Sequence, residues 1–386
     1  MAGRAPAAEV APARLPDPDR RRRGLGLALA VVGCLSGACL TGVVFLLPPL
    51  FEPNPLDSYL GMLGAAALAL PAGLVYLTVP RLLDRYDPEP AYALVGCLLW
   101  GATAAVGVSA VVNTAVGAVV GSAFGPAAGD LASGVFSAPL VEEAMKGLGV
   151  LGIFWFLRRE FDGMVDGVIY ATFVALGFAT VENVVYYARA ASEGGGGALA
   201  ATFVLRGMLF PWGHPLYTGL FGLGLGLARE STQGAIRLLA PLAGFAAAVL
   251  LHAVWNGTAF LAGVGEEGAV VFLLLLPVWF LLVLAYLLLV VLLVARRGRI
   301  LKRYLADEVA LGNLTAEELA LVTSATGLWR ARWRHGATGV ALLRAAARLG
   351  LTKWHASRAA QTGRQTVSLD FVAPLRSRLQ ALRTQL

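Results

Sequence analysis

The sequence predicts an all-α fold: a polytopic membrane bundle of about eight transmembrane helices, followed by a short basic helical tail. Hydrophobic side chains make up 58% of the 386 residues, and charged side chains make up only 14%. Soluble globular chains are about half apolar and about a quarter charged, so this composition favours a membrane protein. The apolar residues also fall into runs of roughly 20, the length that a helix needs to cross a bilayer.

The apolar runs define eight predicted spans. Their limits are 24–46, 59–79, 92–120, 135–157, 164–188, 202–228, 238–262 and 270–295. The first run follows a basic block, as the apolar region of a signal peptide does, but it continues unbroken to about Phe45. Because this run is too long for a removable segment, we expect an uncleaved first span.

Basic residues alternate between the connections and predict the orientation of the spans. Arginines follow every second span, at Arg81 and Arg85, Arg158 and Arg159, Arg229 and Arg237, and Arg296 and Arg297. The intervening connections contain almost none. Because basic segments next to spans stay on the cytoplasmic side, we expect a multi-pass plasma-membrane protein with both termini in the cytoplasm. The formal charge of +7 is then explained by the lipid bilayer, and we expect no nucleic-acid partner.

The spans divide the chain into three predicted regions. These are a basic N-terminal arm at 1–23, a membrane domain at 24–295 with its polar motifs at 135–260, and a basic cytoplasmic tail at 296–386. Within the tail, Thr315 and Glu318 form a capping-box pattern that opens a short helix. The stretch from Val340 to Lys353 is basic and amphipathic, which is typical of a helix on an anionic membrane surface. A partner-binding role for this stretch is the alternative.

Ionisable residues lie inside four of the predicted spans. They are the pair Glu142 and Glu143, then Glu182, His214 and His252. A charged group at the centre of a membrane helix costs at least ~2.5 kcal/mol, so such residues are functional candidates. Counted along their helices, all of them fall in the outer half of the bilayer or near its midplane. We therefore expect them to converge on one water-filled cavity.

Neighbouring side chains suggest how these groups divide their roles. Lys146 follows Glu142 by four residues and Glu143 by three, so on a helix it can pair with either carboxylate. The other carboxylate would then face the cavity, although a buried Glu–Lys pair that only fixes helix packing is the alternative. His252 and Asn256 share a helix face and could hold a water, a metal or an oxyanion, or could clamp two helices together.

Two further polar residues have different interpretations. Asp166 lies near the predicted cytoplasmic end of its span, and we interpret it as a structural or capping residue. Arg206 lies near an outer helix end and could pair either with Glu182 or with a substrate carboxylate. The sequence leaves those alternatives open.

Several other catalytic chemistries are not supported by the sequence. Cys34, Cys39 and Cys97 all lie in apolar runs, which leaves neither a disulfide framework nor a thiolate zinc site. The chain has no HExxH motif and no Gly-x-Ser-x-Gly motif. The remaining chemistry uses a glutamate as the general base that activates water, with histidines as metal ligands or oxyanion donors.

These motifs, in this order, resemble the PrsW family of bacterial intramembrane proteases. That family is related to the type II CAAX prenyl endopeptidases and to bacteriocin-processing membrane proteins. The resemblance is carried by the EExxK motif from Glu142 to Lys146, by DGVIYATFVALGFATVENVVY at 166–186, by His214, and by the HxxxN motif that joins His252 to Asn256.

The resemblance implies a membrane-embedded endopeptidase that cuts a membrane-anchored protein. An anti-sigma factor is the best-known substrate of the family. By motif, Glu142, Glu143, His214 and His252 match essential residues, and Asn256 matches the last polar position. Glu182 stands where the CAAX-type relatives have histidine, which favours the PrsW branch. It also leaves open whether the site binds zinc or activates water without a metal.

From this we expect catalysis by Glu142, Glu143, His214 and His252, with one of the two glutamates as the general base and Glu143 as the favoured one. Lys146, Glu182 and Asn256 would surround these groups, and Glu143, His214 and His252 are the candidate ligands of a Zn²⁺ ion. The expected partners are a membrane-anchored protein substrate and the bilayer, while the oligomeric state is not predicted. The rival hypotheses are a proton-coupled transporter and a non-catalytic membrane scaffold that use the same buried groups. Transporters commonly have internal repeats, whereas these polar motifs fall only in spans four to seven.

Overall fold

The structure is a computed structural model and describes residues 20–361 and 368–386. Most of the predicted N-terminal arm therefore lies outside the described residues. The described part of the chain is helical and contains no strand. Its α-helices are α1 Arg20–Thr41, α2 Pro55–Tyr76, α3 Thr78–Leu83, α4 Ala91–Trp100, α5 Val106–Phe124, α6 Pro126–Leu131, α7 Ala138–Phe156, α8 Met164–Thr202, α9 Gly213–Glu230, α10 Gly234–Ala262, α11 Glu266–Ala310, α12 Ala316–Thr323, α13 Gly327–Gln361 and α14 Val372–Arg383.

Short π-helical and 3₁₀ stretches connect some of these helices. The π-helical stretches are Gly42–Leu46, Gly101–Ala105, Ala132–Ser137 and Phe203–Leu209, and the 3₁₀ stretches are Pro48–Phe51 and Ser368–Phe371. Two of the π-helical stretches lie before helices that carry the polar motifs. Ala132–Ser137 directly precedes α7, and Phe203–Leu209 lies shortly before α9. Such wider turns interrupt the regular α-helical hydrogen bonding and are frequent at functional sites.

The all-α polytopic membrane class is confirmed, whereas the count of eight spans is not. Six helical stretches among the described residues are long and apolar enough to cross a membrane, judged by length and composition. They are Arg20–Phe51, Pro55–Leu83, Ala91–Phe124, Met164–Glu230, Gly234–Ala262 and Glu266–Ala310. The difference has two sources. Helix α7, the predicted fourth span, carries three charged side chains, and the predicted fifth and sixth spans are counted together as Met164–Glu230, although Gly195 breaks the helical conformation within α8.

Helix α8 lies at the centre of the bundle. Its first half is almost entirely buried, and it packs against α2, α4, α7 and α9. Glycines allow the closest of these approaches. A Cβ atom added to Gly177 would lie 2.1 Å from the Leu98 carbonyl oxygen, and one added to Gly167 would lie 2.1 Å from the Gly222 carbonyl oxygen. Helix α8 therefore holds its neighbours in fixed positions around the polar residues.

Arginines from several connections meet at one end of this bundle. The Arg229 guanidinium donates hydrogen bonds to the carbonyl oxygens of Phe154 and Phe161, at 2.6 and 3.1 Å. Arg296 pairs with Glu230 at 2.8 Å. We call this the Arg-rich end; it is the end predicted to face the cytoplasm.

The C-terminal helices form a small packed unit on the extension of α11. Leucines of α11, α13 and α14 make its core, including Leu301, Leu349 and Leu379. The capping box predicted at Thr315 and Glu318 is present, with hydrogen bonds of 2.6 and 3.0 Å. The apolar face of the stretch predicted for a membrane surface is covered by protein instead, because α11 and α14 pack against it.

One buried and one half-buried ion pair join this unit to the Arg-rich end. Arg297 on α11 donates to the Asp166 carboxylate at 2.6 Å, and Nε2 of His355 on α13 lies 3.2 Å from the Asp162 carboxylate. Asp166 also accepts from the backbone N–H groups of Asp162 and Gly163, at 2.7 and 3.0 Å. This confirms the capping interpretation of Asp166. We call Asp162, Asp166, Arg297 and His355 the charged junction.

Candidate active site

The predicted polar motifs come together in the structure. Helix α7 buries Glu142, Glu143 and Lys146, which are 7%, 1% and 0% exposed. Helices α9 and α10 pack against the same face of α7 and bring His214 and His252 beside these groups. We call these five residues the Glu/His cluster. Buried charges are costly unless they are paired. The partners of each residue therefore indicate its role in the cluster.

Glu143 is the firmly held carboxylate of the cluster. Its Oε1 accepts from the Lys146 ammonium at 2.9 Å and lies 3.1 Å from His252 Nδ1. Its Oε2 accepts from the Thr218 hydroxyl at 2.8 Å. Both oxygens of Glu143 are therefore occupied by partners from three helices, which fixes the side chain in one orientation.

Glu142 is held much more loosely. Its Oε2 lies 3.4 Å from the Lys146 ammonium and 3.8 Å from His252 Nε2. The second of these separations is too long for a hydrogen bond. Because adjacent residues on a helix point about 100° apart, only one member of the pair can point directly at Lys146. Glu142 is consequently the carboxylate with capacity to accept another proton donor.

Lys146 is the cation that links the two carboxylates to His214. Its ammonium lies 2.9 Å from His214 Nδ1 and 3.8 Å from the centre of the Phe178 ring. An ammonium has three donors and no acceptor. The contacts to Glu143, Glu142 and His214 use all three of its donors, and the aromatic face adds a cation–π contact.

His214 is oriented from its other side by Glu182. His214 Nε2 lies 2.8 Å from a Glu182 oxygen, and Arg206 pairs with the same carboxylate. The Lys146 ammonium can only donate, so Nδ1 of His214 must be the acceptor. We therefore assign the neutral tautomer of His214, in which Nε2 carries the proton and donates it to Glu182. Arg206 also donates to the Asn183 side chain at 3.0 Å. Of the two partners left open for Arg206, the structure places Glu182 beside it.

His252 presents one nitrogen to each glutamate. Its Nδ1 faces Glu143, so a proton on Nδ1 leaves the Nε2 lone pair directed toward Glu142. The Tyr217 ring stacks on the imidazole, with centroids 5.0 Å apart. Asn256, on the same helix, donates to the Gly134 carbonyl at 2.8 Å and so clamps α10 to the stretch before α7.

A small cavity lies against this arrangement. Its volume is about 60 Å³, and its walls include His214, His252, Asn256, Glu182 and Arg206. The Glu pair lies one layer behind the two histidines. Since a water molecule needs a cavity of about 10–15 Å³, this space admits water beside the histidines but is too small for a polypeptide segment.

The donor set suits a metal ion. One ligand atom from each of Glu142, His214 and His252 lies within 4.8 Å of the others. A carboxylate oxygen and two imidazole nitrogens are a ligand set that zinc accepts. This set differs from the predicted one, because Glu142 takes the place of Glu143, whose oxygens are already engaged. In the structure the Lys146 ammonium contacts His214 Nδ1, so a metal that used this nitrogen would displace that contact.

Sequence reasoning missed three residues of the site. They are Thr218, which donates to Glu143; Tyr217, which stacks on His252; and Phe178, which lies under Lys146. A signal for Thr218 was present, since it follows His214 by four residues and so shares its helix face. For Tyr217 and Phe178 no sequence signal distinguishes them from the other apolar residues of the core.

The fold and the site together define a multi-pass helical membrane protein with a buried carboxylate–imidazole cluster beside a water-sized cavity. The family described as PrsW family intramembrane metalloprotease matches residues 89–292, just over half of the chain and all of the cluster. The chain belongs to this family, which confirms the resemblance found in the sequence.

Curated relatives named Protease PrsW are similar to the chain. The protein of Geobacillus kaustophilus is 26% identical over 161 residues, which is 42% of this chain and 65% of the relative. The protein of Bacillus subtilis is 27% identical over 45% of this chain and 73% of the relative. The protein of Clostridioides difficile is 34% identical over 28% of this chain and 43% of the relative. The chain thus spans less than two thirds of the length of two of them. No solved structure matches the chain significantly.

Proposed function

We propose that the chain is an intramembrane endopeptidase that hydrolyses a membrane-anchored protein with a water activated by the Glu/His cluster. The proposal is supported above all by the environment of Glu142. This residue is only 7% exposed, yet its carboxylate lies 3.4 Å from the Lys146 ammonium and 3.8 Å from His252 Nε2 and has no closer contact within the cluster. A general base needs a lone pair that is not already committed to a strong donor. Glu142 meets this requirement, and the cavity lined by the two histidines, one layer from this glutamate, supplies space for water.

The roles of the two glutamates are then the reverse of the sequence expectation. Glu142 takes the proton from the attacking water and returns it to the leaving amine, as a general base and then a general acid. Glu143 is a positioning residue that fixes Lys146 and His252. The Lys146 ammonium supplies positive charge beside the region where negative charge develops on the scissile carbonyl oxygen. Glu182 holds His214 in its tautomer.

If a metal ion binds, Glu142, His214 and His252 would hold it, and Glu142 would then act as a ligand and not as the free base. When bound, the ion would polarise the scissile carbonyl and lower the pKa of a bound water. The test is the metal content of the purified protein, compared with that of His252→Phe, together with the effect of a chelator on cleavage. A stoichiometric metal that is lost in the variant supports a metalloenzyme. Full activity without metal supports water activation by the side chains alone.

We further propose that the substrate is a membrane-anchored protein such as an anti-sigma factor, because this is the best-known role in the family that the motifs resemble. The cavity of about 60 Å³ is too small for an extended peptide, so the surrounding helices must part before a substrate segment enters. We also propose a plasma-membrane location with both termini in the cytoplasm. Reporter fusions to each terminus test the orientation.

The function is tested by comparing the N-termini of membrane proteins in cells that express the wild type or Glu142→Gln/Glu143→Gln. The matched control is Glu266→Gln/Glu267→Gln, which changes a second adjacent glutamate pair that is exposed at the start of α11. We expect new N-termini with the wild type and the control, mapping to a membrane-anchored protein, and none with the cluster variant. Identical N-termini in all three strains, at rest and under envelope stress, would overturn the proposal.

A further inference from the structure

A second cavity lies on a different side of the bundle. It is a groove of about 630 Å³ between α1, α4 and α7. Its apolar walls include Leu27, Ala93, Leu148, Ile153 and Phe156. The active-site cavity is lined instead by α2, α8, α9, α10 and α11 together with Arg206–Gly213, and the two sets of lining residues have no member in common. We call this second cavity the α1 groove.

Glycines shape the α1 groove in two ways. A Cβ atom on Gly26 would lie 2.5 Å from Cβ of Phe156, and one on Gly33 would lie 2.4 Å from the Trp100 ring. These two glycines therefore allow α1 to touch α7 and α4. By contrast, a Cβ atom on Gly96 or Gly152 would meet nothing within 4 Å, although both residues line the groove. The open space thus lies between contacts that hold the three helices together.

An apolar groove of about 630 Å³ has room for an acyl chain, which would make dispersion contacts with the side chains that line it. Arg20 and Arg23 line the mouth of the groove, and they are three residues apart on α1. They belong to a run of four arginines at the start of the helix. Guanidinium groups are suited to phosphate, and basic pockets between transmembrane helices bind anionic lipid headgroups.

We propose that the α1 groove binds one anionic glycerophospholipid, with its phosphate on Arg20 and Arg23 and an acyl chain between α4 and α7. The lipid completes the packing of the half of α7 that follows the Glu/His cluster. Through α7 it supports the position of that cluster without contacting it. The proposal does not depend on the proposed peptidase activity.

A substrate transmembrane helix is the competing occupant, and the geometry disfavours it. The indole N–H of Trp100 donates to the Met145 carbonyl oxygen at 2.8 Å, at the end of the groove nearest Lys146. Trp100 therefore separates the groove from the Glu/His cluster. A helix seated in the α1 groove would contact α7 on the side away from the histidines.

The test uses the full-length purified protein, delipidated in detergent and titrated with phosphatidylglycerol or phosphatidylcholine while native mass spectrometry counts bound lipids. We expect one phosphatidylglycerol per chain and a preference over phosphatidylcholine of roughly 30-fold, the scale that two basic side chains near a membrane surface provide. Arg20→Gln/Arg23→Gln should abolish the preference. The control Arg299→Gln/Lys302→Gln, which removes two exposed cations outside the groove, should keep it.

A second pair of variants tests the groove itself. Gly96→Leu/Gly152→Leu fills the space and should prevent stoichiometric binding of either lipid. Gly61→Leu/Gly64→Leu adds the same bulk on α2, where a Cβ atom also meets nothing within 4 Å, and should bind lipid like the wild type. Equal binding of the two lipids by the wild type, or unchanged binding by Gly96→Leu/Gly152→Leu, would overturn the proposal.

A photo-crosslinking residue at position 152 identifies the occupant of the groove in membranes. This experiment tests the proposal even if Gly96→Leu/Gly152→Leu fails to fold. We expect this residue to capture lipid. Capture of a membrane-anchored protein in place of lipid would overturn the lipid assignment and favour the substrate helix.

Discussion

The Glu/His cluster and the charged junction each contain a buried carboxylate among basic side chains, Glu142 and Asp166, yet these two carboxylates are paired differently. In the junction, Asp166 accepts from Arg297 at 2.6 Å and from two backbone N–H groups at 2.7 and 3.0 Å. In the cluster, Glu142 is no closer than 3.4 Å to Lys146 and 3.8 Å to His252. Burial and charge alone therefore do not identify a catalytic site. A carboxylate that is left incompletely paired, one layer behind a small polar cavity, is the more informative signal.

The largest expected effect is on catalysis by Glu142→Gln. Loss of a general base typically lowers the rate by a factor of about 10²–10⁴. Because Glu142 makes only long contacts, the melting temperature of this variant should stay near that of the wild type. Cleavage of the identified substrate and thermal unfolding would be measured on the same preparation. A wild-type rate would exclude Glu142 as the base.

Glu143→Gln should differ by losing stability as well as activity. The substitution removes the charge that pairs with the buried Lys146 ammonium, and an uncompensated buried charge costs about 3–5 kcal/mol. Thermal unfolding in detergent measures the effect. If Glu143→Gln unfolded at the same temperature as the wild type, its assigned positioning role would be wrong.

Arg297→Met extends the comparison to the charged junction. It leaves the Asp166 carboxylate buried without its cation, so we again expect a loss of about 3–5 kcal/mol in stability. The rate per folded molecule should remain near the wild-type value, because the junction takes no part in the chemistry. The control is Arg299→Met, which removes an exposed arginine two residues along α11 and should have little effect on either quantity.

Thr218→Val should have a smaller effect within the cluster. It removes the hydroxyl that donates to Glu143 at 2.8 Å, and a hydrogen bond to a charged group contributes about 1.5–3 kcal/mol. Activity and stability should both decrease, and Thr218→Ser should restore them because it retains the hydroxyl. Failure of the serine variant to restore activity would mean that the methyl group, not the hydrogen bond, is what matters.

The smallest effect is the pH dependence at the charged junction, which involves two neighbouring carboxyls, Asp84 and Asp87, that interact electrostatically with Asp166 and Arg297. Burial raises the pKa of Asp84 to about 7 and that of Asp87 to about 6. Burial lowers the pKa of His355, but the Asp162 carboxylate outweighs it and the pKa is raised overall. A group whose pKa is raised in the folded state contributes stability at low pH, and that contribution is lost as the pH rises through the folded-state value.

Attachment of the C-terminal unit should therefore weaken as the pH rises through the range from about 6 to 7 and above, by roughly 1 kcal/mol per pH unit for each deprotonating carboxyl. The pKa of Asp162 is lowered, so its own contribution is lost only in acid, outside this range. Hydrogen exchange in α13 against pH measures the effect. Asp84→Asn should flatten the dependence, whereas Asp57→Asn, at an exposed position on α2, should not. An unchanged slope in Asp84→Asn would contradict this account.

The part of the cluster that the sequence predicted depends on residues close together in one helix. Residues three and four apart share a helix face, so the EExxK and HxxxN patterns were sufficient to place Lys146 beside the Glu pair and to predict buried polar side chains. The composition was likewise sufficient for the all-α membrane class. The number of spans is not confirmed in the same way, because a count by length and charge leaves out α7, with its three charged side chains, and treats the predicted fifth and sixth spans as one stretch.

What the sequence could not supply depends on packing between helices. The choice between Glu142 and Glu143 as the loosely held carboxylate is decided by Thr218 and His252, which come from α9 and α10. The pairing of Arg206 with Glu182 depends on the break in the helical conformation of α8 at Gly195, which lies between the two residues. The stretch from Val340 to Lys353 is amphipathic in either setting, so its pattern alone could not distinguish a membrane surface from the core formed with α11 and α14.

We propose that the incompletely paired Glu142 performs the chemistry, while the closely paired Asp166 of the junction only holds the fold. The most direct test is the cleavage rate per folded molecule of Glu142→Gln and Arg297→Met, measured side by side with one purified substrate. The account predicts a rate lowered by a factor of about 10²–10⁴ for the first variant and a rate near that of the wild type for the second. Equal losses in the two variants, or a wild-type rate in Glu142→Gln, would contradict it.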